Sequence, residues 1–89
     1  VNGPNPRANN IYGQILRWRE ANDDHASTAF AWDLFVVAGN PAVHPGQPTA
    51  GSTNITPQNM FNSPDGLSFD DAGRLWIQTD GDSSNAGDY

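Results

Sequence analysis

The chain has 89 residues, a formal net charge of −6 at pH 7 and a sequence pI of about 4.3. A chain of this length forms at most one small domain, which buries roughly 60–65% of its unfolded surface. All the basic residues are arginines and they are few, so the basic patch that a nucleic-acid surface needs is missing. The chain has no cysteine and no apolar run near the ~20 residues of a membrane span, which excludes disulfides, thiolate metal sites and such a span within it.

The first predicted strand is Ile11–Glu20, which follows a lead-in rich in proline and asparagine. Gly13 and the tryptophan and isoleucine content favour a strand. A helix is the competing interpretation, since Leu16 and Glu20 lie one turn apart. The adjacent Ile15 and Leu16 break the strict alternation, which a central propeller strand contacted on both faces tolerates.

The second predicted strand, Ala29–Ala38, has a clear period of two. Its large apolar residues share one parity: Phe30, Trp32, Leu34 and Val36. Alternation of this kind with β-branched residues is typical of a strand. Residues 39–63 then form a long loop, because their proline and glycine content excludes a helix or a central strand.

The last third of the chain predicts a β-hairpin. Gly66–Phe69 and Arg74–Thr79 are the strands, and the four residues between them begin with Asp70 and end with Gly73. This is the chemistry of a type I turn with a bulge. Hairpins of this composition are typical of β-propeller blades, and residues 80–89 are predicted to be a loop.

Candidate ligand residues surround this hairpin. Asn62 and Asp65 come directly before the third strand and offer the oxygen ligands that calcium prefers. A plain β-turn, in which Pro64 fixes φ, is the alternative for the same segment. Asp80 begins a series with Asp82 and Ser84 that fails as an EF-hand loop but leaves Asp80 as a candidate metal ligand.

Other residues carry weaker signals. Arg7 is a candidate phosphate-binding residue, with an internal structural role as the alternative. His25 and His44 lack the spacing of a metal site. No nucleophile motif or phosphate-binding glycine loop is present, so no catalytic residue is assigned.

Three segments, in this order, resemble the C-terminal half of the PhoX-type alkaline phosphatases: NPRANNIYGQILRWRE, AFAWDLFVVAGNP and FNSPDGLSFDDAGRLWIQTDG. The resemblance covers essentially the whole chain. Its most specific parts are NxYGxIxRWxE and FxSPDGLxFDxxGRLWIQTDG. The shorter pattern PDGLxFDxxGxLW is similar to gluconolactonase-like and other calcium-binding propellers as well.

The resemblance implies an all-β fold of antiparallel strands and hairpins, in which residues 1–89 are about two blades of a six-bladed β-propeller. It implies a metal-dependent phosphatase of phosphate monoesters that is periplasmic or extracellular and exported by the twin-arginine route. Calcium and iron would lie at the channel mouth with phosphate bridging them. Carried over to this chain, Asp65 is the metal-ligand candidate, with Asn62 and Asp80 as rim candidates.

The chain is therefore expected to be part of a larger protein, with the rest of the propeller as its partner. Alone, it is expected to be inactive and to bind calcium weakly, because one or two carboxylates cannot complete about six to eight oxygen ligands. Two other functions stay open: a segment of another propeller hydrolase, such as a calcium-dependent lactonase, and a non-catalytic propeller module.

Overall fold

The fold was analysed in a computed structural model, which describes residues 1–80. This part of the chain has no α-helix. It contains four strands and two single-turn 3-10 helices. In chain order these are β1 (Gln14–Glu20), a 3-10 turn (Ala21–Asp23), β2 (Phe30–Val37), a 3-10 turn (Pro48–Ala50), β3 (Pro64–Phe69) and β4 (Leu75–Thr79).

The strands form two antiparallel hairpins, β1–β2 and β3–β4. The predicted all-β class with antiparallel hairpins is confirmed, and it is the arrangement of strands in β-propeller blades. The helical alternative for the first segment is wrong. No helix within residues 1–80 is both long enough and apolar enough to cross a membrane. The predicted loop residues Asp82 and Ser84 lie outside the described residues.

The β1–β2 hairpin has an irregularity where the sequence breaks its alternation. Ile15 pairs with Val36, whereas the next residue, Leu16, pairs with Leu34. Phe35 is therefore left without a partner across the ladder, as in a β-bulge. Val36 and its partner Ile15 are both buried, whereas the unpaired Phe35 is 45% exposed.

The β3–β4 hairpin is closed by the predicted turn. The backbone amide of Asp70 donates to the carbonyl of Arg74 at 3.0 Å, and that of Gly73 donates to the carbonyl of Asp70 at 3.0 Å. Gly73 has φ +80°, in the left-handed region that glycine adopts without strain. Asp70 Oδ1 accepts the amides of Ala72 and Arg74, as turn aspartates do.

The long segment between β2 and β3 folds back onto the end of the first hairpin. Its only regular element is the 3-10 turn Pro48–Ala50. The amide of Asn40 donates to Thr49 O at 3.0 Å, and the amide of Ser52 donates to Val37 O at 2.9 Å. A Cβ at Gly39 would lie 2.4 Å from Gly51 N, so the two backbone segments touch.

The buried residues lie together at this end of the molecule. Besides Gly39, four are apolar and three are polar: Tyr12, Ile15, Val36, Ala38, Arg7, Asn40 and Asn62. We call this set the junction. The strands, by contrast, expose large side chains, including Trp18 (58% exposed), Phe69 (73%) and Trp76 (62%). The core of residues 1–80 is therefore small and partly polar, and the sheet faces lie largely outside it.

Candidate functional site

The candidate ligand turn runs from Asn62 to Gly66 and leads from the junction into β3. Asn62 is buried, with 2% of its surface exposed. Asp65 is the second residue of β3 and its side chain is exposed. The ladder is irregular between Pro64 and Leu67, so Asp65 lies at the bulged start of the hairpin. The turn thus joins a buried amide to an exposed carboxylate.

Backbone hydrogen bonds hold this turn from both sides. The amide of Ser63 donates to Tyr12 O at 2.8 Å, and the amide of Asp80 donates to Ser63 O at 2.8 Å. The chain before β1, the turn and the end of β4 therefore meet at Ser63. Asn62 is therefore adjacent to Ser63, whose carbonyl accepts the amide of Asp80. Asp65 lies further along, within β3.

The oxygen atoms of this region are of the type that calcium prefers, but they are too few to fill its coordination shell. Carboxylate and amide oxygens are the ligands that calcium prefers, and it takes about six to eight of them. Within residues 1–80, no group of three or more histidine, cysteine, aspartate or glutamate side chains is placed to hold a metal ion. Asp65 and Asp80 are both exposed. These residues therefore do not form a metal site by themselves.

Arg7 lies inside the junction, with 7% of its surface exposed. Its Nη2 donates to Asn10 Oδ1 at 2.7 Å and to Gly13 O at 3.1 Å, and its Nη1 donates to Pro48 O at 3.2 Å. Burial lowers the pKa of the Arg7 guanidinium below its ordinary value. Both terminal nitrogens thus have acceptors within the chain, and phosphate binding by Arg7 stays a prediction.

Two residues that the sequence analysis did not assign to the site, Gly13 and Ser63, shape the turn. A Cβ at Gly13 would lie 3.2 Å from Pro64 Cδ, so the backbone before β1 packs closely against the turn. Ser63 has φ +49°, a conformation that is uncommon for a serine. A glycine within a predicted strand is a signal of close backbone approach, so Gly13 was detectable. Nothing in the sequence indicates the φ of Ser63.

Within residues 1–80, the carboxyl group with the largest pKa shift lies outside this turn. The pKa of Asp70 is lowered to about 2, first by the hydrogen bond from Trp76 and then by bonds from the backbone and side chain of Arg74. Trp76 Nε1 donates to Asp70 Oδ2 at 2.9 Å and Arg74 Nε donates to it at 2.7 Å. Shifted pKa values are common at functional sites, but here they belong to a hairpin turn.

Comparison with known proteins gives one consistent result. The family model described as "Alkaline phosphatase PhoX" matches residues 1–88. A solved structure, Pseudomonas fluorescens PhoX in complex with vanadate, a transition state analogue, is similar to the chain with 80% sequence identity and a TM-score of 0.92. The match covers 99% of this chain and 15% of that chain. No curated protein matches the chain.

Proposed function

This chain belongs to the PhoX family of alkaline phosphatases, and we propose that it is a segment of a larger, metal-dependent enzyme that hydrolyses phosphate monoesters. The observation that carries the proposal is the similarity over nearly the whole chain to a PhoX structure that contains vanadate. Vanadate is a tetrahedral oxyanion like phosphate, and transition-state analogues bind at the site of the chemistry. An identity of 80% supports the same substrate class for the protein that contains this segment.

The exposed faces of the strands support the proposal that this chain is a segment of a larger protein. A groove of about 590 Å³ separates the two hairpins. Its lining is mostly apolar: Ile15, Leu16, Arg17, Trp18, Phe35, Leu67, Phe69, Gly73 and Leu75. We interpret this apolar lining as a surface that contacts another part of the protein. The rest of the propeller chain is the partner that covers it in this proposal.

Asp65 is the proposed contribution of this segment to a metal site. Its carboxylate is exposed at the start of β3, on a turn held by backbone bonds at Ser63. Asn62 and Asp80 are proposed as rim residues of the same site. Residues outside this chain would complete the ligand set, and calcium with iron are the proposed metals of the whole enzyme.

The proposed location of the enzyme is periplasmic or extracellular, after export by the twin-arginine route. The family assignment supports this location. The absence of cysteine from the segment is compatible with it but does not require it. Cell fractionation of a strain that expresses the full-length protein, with and without a functional twin-arginine system, tests the proposal directly.

The central test is an assay of the full-length enzyme on p-nitrophenyl phosphate, combined with metal analysis. We expect phosphatase activity that a chelator abolishes. Asp65→Ala should lower the metal content and reduce kcat by at least about 100-fold, since even residues behind the ligands cost about 10- to 100-fold. Asp71→Ala is the matched control, because Asp71 is exposed in the β3–β4 turn, and it should change neither quantity.

Two results would contradict this proposal in different ways. Full metal content and full turnover in Asp65→Ala would show that the segment Asn62–Gly66 is a plain β-turn. Absence of chelator-sensitive phosphatase activity in the full-length protein would remove the phosphatase assignment itself. Hydrolysis of lactones in its place would identify a calcium-dependent lactonase.

A further inference from the structure

Arg7 differs from every other arginine of the chain in its surroundings. Arg17, Arg19 and Arg74 are exposed, and each forms an ion pair with an aspartate: Asp33, Asp23 and Asp70, respectively. Arg7 is buried, and within residues 1–80 its hydrogen-bond acceptors are uncharged oxygens. Burial of a charged group costs free energy unless the group is paired or hydrogen-bonded. We therefore expect Arg7 to have a structural or functional role.

The acceptors of Arg7 belong to separate parts of the chain. Pro48 O lies in the long segment after β2, Asn10 Oδ1 in the lead-in, and Gly13 O at the entrance to β1. Asn10 Oδ1 also accepts the amide of Gly13 at 3.1 Å, so both the amide and the carbonyl of Gly13 are hydrogen-bonded. Only the planar fork of a guanidinium can reach several such acceptors at once. Arg7 therefore ties the long segment to the Gly13 backbone.

Gly13 in turn supports the candidate ligand turn. Its carbonyl accepts both Arg7 Nη2 and the amide of Ala38, and its Cα faces Pro64 so closely that a Cβ would lie 3.2 Å from Pro64 Cδ. The neighbouring carbonyl of Tyr12 accepts the amide of Ser63. The two residues that precede Asp65 are thus held by the backbone that Arg7 fixes.

Ser63 shows that the turn needs such support. It has φ +49° and precedes a proline, and the ring of a following proline further restricts the backbone. Residues held in uncommon conformations persist only where the surroundings enforce them, and they are concentrated at functional sites. Tyr12 O and the amide of Asp80 enforce the conformation of Ser63 from opposite sides.

We propose that Arg7 is a positioning residue for Asp65, which acts through Gly13 and the Ser63–Pro64 backbone and does not contact the substrate. The inference rests on the proposed role of Asp65 as a metal ligand. Both Nη atoms of Arg7 already donate to the lead-in, the long segment and the entrance of β1, and its buried Nε has no acceptor among the described residues.

The test is amide hydrogen exchange of the full-length enzyme with the substitution Arg7→Lys. A lysine ammonium is compact and cannot bridge Pro48 O, Asn10 and Gly13 O together. We expect the amide of Ser63 to exchange about tenfold faster or more, as loss of hydrogen bonds to a charged group implies. The amide of Arg74, in the β3–β4 turn, should keep its rate.

Kinetics of the same variant provide the functional readout. We expect kcat to fall by about tenfold or more through misplacement of Asp65, with a smaller change in KM. Arg19→Lys is the matched control, since Arg19 is exposed on β1, and it should change neither kinetics nor exchange. If Asp65→Ala leaves metal and turnover intact, the proposed function of Asp65 fails, whereas the exchange result still reports whether Arg7 holds the turn.

Three outcomes would overturn the positioning role. Unchanged exchange at Ser63 with weaker inhibition by inorganic phosphate would mean that Arg7 contacts the phosphoryl group. Unchanged exchange with unchanged kinetics would mean that it does neither. Equal acceleration at Ser63 and Arg74 would mean general destabilisation. If Arg7→Lys does not fold, Arg7→Gln decides, since its single amide group cannot reach all three acceptors: faster exchange at Ser63 alone supports the role, and an unchanged rate contradicts it.

Discussion

The junction and the two hairpins are built on opposite principles. The junction consists mainly of loop residues, yet it contains the buried side chains, among them Arg7, Tyr12 and Asn62. The hairpins have regular strands, yet they expose Trp18 and Phe69. Loops in most domains lie on the surface over a core of regular elements. The reversal fits the proposal that residues outside this chain cover the strand faces, whereas the hydrogen bonds of Arg7 in the junction lie within the chain.

The hydrogen bonds explain why a junction made of loops can be buried. Buried backbone groups require partners, and here the loops provide them to one another. Asn40 Oδ1 accepts the amides of Ala42 and Val43, both at 3.1 Å. Arg7 supplies three further bonds. The junction thus replaces a regular ladder with bonds that depend on particular side chains.

Gly39→Ala is expected to destabilise the junction more than any other substitution considered for the two regions. The added Cβ would lie 2.4 to 2.6 Å from backbone atoms of Gly51, Ala50 and Thr49, which cannot move like a flexible side chain. We expect a loss of about 3 kcal/mol in the free energy of unfolding of the full-length protein. Denaturant unfolding monitored by fluorescence measures it.

The matched control for that substitution is Gly46→Ala in the same long segment. No atom lies within 4 Å of a Cβ at Gly46, and only its φ of +71° opposes the change, so about 1 kcal/mol is expected. Equal losses for the two variants would show that the long segment does not pack against the end of β2.

A smaller and local effect is expected from Asp70 in the second hairpin. Its pKa is lowered to about 2, because hydrogen bonds in the folded hairpin stabilise the ionised carboxylate. The unfolded chain lacks these hydrogen bonds. The stabilisation is complete above the ordinary aspartate pKa of about 4 and is lost as the pH falls through about 2. We expect the protection of the Arg74 amide, which is the exchange rate of the unfolded chain divided by the observed rate at the same pH, to fall in this range.

The substitution Asp70→Asn isolates this effect. It should remove the change in protection of the Arg74 amide between about pH 4 and 2 and lower that protection at higher pH. Asp71→Asn, which removes the adjacent charge, should retain the pH dependence. A change in protection between about pH 4 and 2 that survives in Asp70→Asn would assign it to another group.

Much of the secondary structure was predictable because its signals are local. Turn chemistry at Asp70 and Gly73 gave the second hairpin, and period-two alternation gave β2. The bulge opposite Ile15 was only partly predictable: the adjacent apolar residues signal an irregularity, but its place depends on the pairing of the two strands.

The candidate site was less predictable, because its geometry depends on contacts between distant segments. Asp65 and Asn62 were found from ligand chemistry and resemblance. The meeting of Tyr12, Ser63 and Asp80 depends on how the long segment returns, which no local pattern encodes. The burial of Arg7 has the same origin, since Pro48 is far from it in sequence.

The most direct test of the central claim is hydroxyl-radical footprinting of the full-length protein. Trp18 and Trp32 face each other across the first hairpin and are 58% and 44% exposed in this chain. If the rest of the propeller covers the strand faces, both indoles should be oxidised far more slowly in the folded protein than after denaturation. Oxidation of both at the denatured rate would show that the faces stay open and would contradict the account.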